Sequence, residues 1–258
     1  MKDFLGCEVT ANSNEAILAL NNVTALFIQN KSGIDKLLPH QADIHLDCPM
    51  IQVCTAIMYF FSFSAQIMHE QFPKYISRLD DSKLNERELL HLTALKNLNS
   101  NNIDTTLDAY IKIAQKYPQD RLSILMMGIC SSFAGKIALL LPIYQQLLNY
   151  HQQDPNFIGM FVFVLVHINQ LSTAKESIRD ALTASPNNAH LQHIYAHTID
   201  ESNEEEVRHA ISFLESCIPD WQQHGRFFET HNSMHLCNLY FKTTNVDFSR
   251  ILSIYRNH

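Results

Sequence analysis

Glycine and proline are scarce, 6 and 8 in 258 residues. That scarcity argues against a sheet protein, whose frequent tight turns draw on both, and suits helices joined by short loops. The six cysteines, Cys7, Cys48, Cys54, Cys130, Cys217 and Cys237, include no CxxC pair and lie mostly in apolar stretches. A disulfide framework is not expected, and a reducing, cytoplasmic compartment is. Positive charge is sparse and scattered, with a formal net charge of −7. Without a basic stripe to neutralise a phosphate backbone, nucleic acid is not an expected partner. Long apolar runs are missing too. The most apolar segment, Phe157 to Ile168, falls short of the roughly 20 residues needed to cross a bilayer, so no membrane insertion is expected. Lys2 and Asp3 are followed by no apolar run, so we expect no secretory signal.

What is present is a chain 46% hydrophobic, enough to bury a substantial core in one domain or two. Pro118, Pro155, Pro186 and Pro219 recur at a spacing close to the roughly 34-residue period of tetratricopeptide helical hairpins. Each proline follows a pair of amphipathic segments and is expected to stop the second helix of a pair. In this frame Ala94, Tyr110, Ala174, Ile178 and Ala181 fall where helices pack most closely.

The spacing predicts helical pairs at Glu86–Asn99 with Ile103–Lys116, Arg121–Ala134 with Lys136–Tyr150, Phe157–Gln170 with Thr173–Ala184, and Ala189–Glu201 with Glu204–Cys217. A further pair is Phe227–Phe241 with Val246–Arg256. The less regular residues 1–80 read as Asn14–Ile28 with Ile34–Leu46 and Pro49–Phe63 with Ala65–Leu79. The expected fold class is therefore all-α, an α-solenoid of tandem tetratricopeptide-like hairpins forming a single domain over 1–258.

Several stretches resemble the tetratricopeptide repeat protein 38 family. The run from Asn188 to Asp200 carries a His-x3-His helix ending in an acidic residue. Ile211-Ser212-Phe213-Leu214-Glu215, Pro219-Asp220-Trp221 and Phe227-Phe228-Glu229-Thr230-His231-Asn232-Ser233-Met234-His235-Leu236 follow it in the family's order. Looser agreement covers Asp3 to Gly6, Glu86 to Leu92 and Gly159-Met160. Where members often carry histidines, this chain has Gly128, Ser131 and Phe161. The resemblance implies a repeat scaffold and names no reaction.

His193 and His197 are four residues apart, Asp200 lies three further on, and His231 and His235 repeat the spacing. On helices each set shares a face. Both pairs fall on first helices of consecutive hairpins, so four imidazoles and a carboxylate are expected to line one surface, with Asn232 beside them. Such donors suit a divalent ion such as zinc, and an open coordination position would then activate water. Ile194 stands where a His-Glu-x-x-His motif needs its base. Polar packing of the same histidines is the competing reading. The leading functional expectation is a scaffold whose concave groove takes a peptide or partner protein; the alternative is a metal- or cofactor-dependent enzyme. A homodimer through an uncapped C-terminal helix is a further expectation. The run Tyr59 to Phe63 reads as core or docking patch, and Trp221 as packing over an inter-repeat corner.

Overall fold

In the computed structural model, residues 1–62 and 64–257 are described, Asn257 by its backbone alone. Fifteen α-helices and two 3-10 turns account for the regular structure, with no strand among the described residues. Among the described residues no helix is long and apolar enough to cross a membrane. The helices gather into two compact units, Met1–Ile28 with Gly33–His151, and Gln29–Ser32 with Gln152–His258.

The first unit holds α1 (Asn14–Ile28), α2 (Ile34–Ile44), α3 (Pro49–Phe60), α4 (Ala65–Ile76), α5 (Glu86–Asn99), α6 (Ile103–Lys116), α7 (Arg121–Phe133) and α8 (Leu141–His151). Helix α3 is its centre, buried on every side from Pro49 to Ile57. The aromatic run resolves largely into packing: Tyr59 stacks on Tyr75 at 5.4 Å and Phe60 meets Phe72 edge-on at 5.1 Å. Phe63, where the expected helix ended, lies outside the described residues.

The second unit holds α9 (Pro155–His167), α10 (Leu171–Ala184), α11 (Ala189–His197), α12 (Glu204–Ser216), the four-residue α13 (Ile218–Trp221), α14 (Arg226–Tyr240) and α15 (Phe248–Asn257). Its first helices α9, α11 and α14 pack side by side, α11 in the middle. Beneath them lie Val207, Ala210, Leu214, Trp221, Phe228, Leu236 and Ile254.

Two kinds of residue mark the period more sharply than the prolines do. Four consecutive first helices, α5, α7, α9 and α11, open on an Asn or Asp whose side chain accepts a backbone N–H: Asn85, Asp120, Asp154 and Asn188. These caps recur almost evenly, at the roughly 34-residue period of such hairpins. They satisfy donors that the first turn leaves orphaned. Helices α5, α7 and α9 close on a left-handed residue, Asn101 (φ 54), Gly135 (φ 66) and Asn169 (φ 60). The three closures keep the same spacing as the caps. In each turn the following N–H reaches back to Asn97, Ser131 or Leu165 at 2.8 to 3.1 Å, the Schellman closure that asparagine and glycine permit. All four prolines follow second helices as expected, and Pro155 also opens α9 while Pro219 lies in the first turn of α13.

Candidate functional site

Helices α11 and α14 each carry a His-x3-His pair, and the structure brings the two pairs together. One ring nitrogen from each of His193, His197, His231 and His235 lies within 4.8 Å of the others. Ring centroids are 4.6 Å apart for His193 and His231, 4.4 Å for His197 and His235, and 4.8 Å within each i,i+4 pair. His193 Nε2 and His197 Nε2 lie at hydrogen-bond distance, 3.0 Å, with the donor set by the tautomers. Two ring nitrogens, His193 Nδ1 and His235 Nε2, are buried with no hydrogen-bond partner, an arrangement that costs about 1–3 kcal/mol each unless a water or ion completes it.

Phenyl rings surround the tetrad. Phe163 of α9 stands one repeat period before His197 and meets it edge-on at 5.1 Å. Phe228 lies 6.1 Å from His193, and the exposed Phe227 is 5.1 Å from His231. This setting disfavours charge. Burial, reinforced by the neighbouring imidazoles, holds His193 well below the ordinary histidine value, His197 at about 4 and His235 at about 3. Burial alone lowers His231. At neutral pH the rings are uncharged, the state in which imidazole binds a metal ion.

Asn232 holds the helices in register: it is buried, and its Nδ2 donates to the Ala189 carbonyl at 3.0 Å. On the far side of α11 another polar chain sets its angle. Trp221 Nε1 donates to Gln192 Oε1 at 2.7 Å, and Gln192 Nε2 donates to the Pro186 carbonyl and to Asp220 at 2.7 and 2.8 Å. Close approach of α9 to α11 requires Gly159, where a Cβ would come within 2.9 Å of His190 Cε1.

Asp200 does not join the imidazoles. Helix α11 ends at His197, short of the expected Glu201, so the helical spacing that would carry Asp200 onto the same face is broken. Its exposed carboxylate instead accepts from Ser202 Oγ at 2.6 Å and Ser202 N at 3.0 Å, closing the turn before α12. The converging group thus holds four nitrogens and no carboxylate. His167 also stands outside it, its Nδ1 donating to the Phe163 carbonyl at 2.8 Å.

A second buried polar group, in the first unit, is one that sequence reading passed over. Asp120, the cap of α7, accepts from Arg87 Nε at 2.6 Å and pairs with His91 Nε2 at 2.8 Å. Arg87 also meets Asp3 at 3.4 Å. Burial works to raise the Asp120 pKa, but His91 and Arg87 outweigh it and hold the carboxyl well below its usual range. The signal for this group is Arg87 and His91 four apart on one helix, beside the start of the next hairpin.

No protein-family model matches the chain. A solved structure titled "MamA RS-1 ArsTM double mutant" is similar at 14% identity and a TM-score of 0.50, over 67% of this chain and 97% of that one. Yeast Tom70 is similar at 13% identity and a TM-score of 0.46, over all of this chain and 66% of Tom70. At such identity the likeness to MamA is one of fold. The chain is an all-α protein of tandem tetratricopeptide-type hairpins.

Proposed function

We propose that this protein is a binding scaffold, and that the face lined by first helices α9, α11 and α14 takes an extended peptide segment of a partner protein. One observation carries the reading: a continuous strip of five rings, Phe163, His197, His235, His231 and Phe227, crosses the three helices at centroid spacings of 5.1, 4.4, 4.8 and 5.1 Å. Phe227 and Met234 are exposed along α14. Rings of this kind contribute large contact area with little side-chain entropy to lose, as recognition surfaces require. We further propose kinship with the tetratricopeptide repeat protein 38 family. The segments that carry that resemblance, 188–200 and 227–236, form α11 and most of α14. A cytoplasmic setting fits the six unpaired cysteines, five of them buried.

The enzyme alternative loses one of its named residues, because Asp200 turns away from the imidazoles to accept from Ser202. A photo-crosslinking residue placed at Phe227 in cells tests the scaffold reading, with the exposed Thr183 of α10 as control. A defined crosslinked polypeptide from position 227 and none from 183 is expected. No adduct at 227, or equal yields at both positions, would overturn it.

A further inference from the structure

We propose that His193, His197, His231 and His235 form a binding site for a single divalent transition-metal ion of the zinc class, which clamps α11 to α14. The donors are preassembled: four ring nitrogens within 4.8 Å of one another, two from each of two packed helices. With metal–nitrogen bonds of about 2.0–2.1 Å, ligand atoms of a tetrahedral site lie roughly 3.4 Å apart. The His193 and His197 nitrogens stand at 3.0 Å, so they need only a small adjustment. Rotation of the rings about their side-chain bonds closes the wider separations.

Two features favour an ion over polar packing alone. Packed histidines normally find acceptors and donors of their own, as the buried His151 does with the Pro118 carbonyl. Here His235 Nε2 is buried and unpartnered within the group. Furthermore, Asn232 fixes α14 against the start of α11 from the residue next to His231, which orients two ligands from one anchor.

The donor set selects the ion. Four neutral nitrogens, with neither carboxylate nor thiolate, suit zinc, cobalt, nickel or copper(II), and disfavour calcium and magnesium, which take oxygen. Four protein ligands also complete a tetrahedron. That leaves no position for an activated water, so the ion's role is to fix the angle between consecutive hairpins, and with it the three histidines of the ring strip.

Cobalt(II) titrated into chelator-treated full-length protein tests this without reference to any partner. Expected are intense visible absorption bands of a tetrahedral centre saturating at one ion per chain, displacement by zinc, and a zinc-dependent rise in Tm of several degrees. His235→Ala should weaken binding beyond the roughly 10–100-fold that losing a supporting residue costs. His167→Ala should leave it unchanged. Should the His235→Ala variant fail to fold by circular dichroism, His231→Ala, at the half-exposed edge of the group, is expected to give the same loss. Weak octahedral bands, no saturation, or binding retained in the folded variant would overturn the proposal and leave the tetrad as polar packing. Failure here would leave the crosslinking result at Phe227 untouched.

Discussion

Residues whose charge state is set by burial make the sharpest predictions. His190, His193, His197 and His235 all have folded-state values below that of an unfolded histidine, with burial the leading cause in each; His190 and His197 lie at about 4 and His235 at about 3. Below pH 6.5 the unfolded chain therefore binds more protons than the folded one. The stabilisation is fully present above pH 6.5 and is lost as pH falls towards 4. In chelator-treated protein a decrease of a few kcal/mol is expected between pH 7 and 5, read as a fall in Tm of about 5–10 °C. The quadruple replacement by glutamine should flatten that slope; an unchanged slope would refute the assignment. In the first unit, Asp120→Asn keeps the cap on α7 but replaces the nearer carboxylate of buried Arg87 by a neutral amide, leaving it Asp3 at 3.4 Å. Breaking a buried pair from one side costs about 3–5 kcal/mol, measurable as a lower urea midpoint.

At the scale of elements, the short α13 acts as a peg. Trp221 is fully buried, and its indole N–H ties α13 to Gln192 of α11. Trp221→Ala should cost about 3–5 kcal/mol for the cavity. Trp221→Phe should cost about 1–3 kcal/mol by orphaning the Gln192 carbonyl. A negligible cost for Trp221→Phe would show that packing alone matters, and equal costs that the hydrogen bond alone does. The helices themselves are readable in the sequence: α1, α5 and α6 have the expected bounds, because caps at Asn85 and Asn102 and turn signals after Asn99 are local. Where tertiary context decides, local signals fall short. Lys136 to Tyr150 starts as a 3-10 turn over Ile137–Leu140 before α8, and α13 is too short to show a period. The same limit shapes the site. Spacing by four within one helix finds all four histidines. It carries Asp200 past the end of α11, and it cannot see Asp120, which reaches Arg87 and His91 from another hairpin.

Across the whole molecule, repeated hairpins of the second unit present a ring-lined face made of first helices, and that face is where a partner is proposed to bind. The recurrence of caps and left-handed turns at the hairpin period supports the repeat half of this claim independently of the histidines. The binding half is most directly tested by hydrogen exchange of the chain with and without the polypeptide crosslinked at Phe227. Added protection in α9, α11 and α14, with α10 and α12 unchanged, is the predicted result. Protection confined to the second helices, or absent from the second unit, would contradict it.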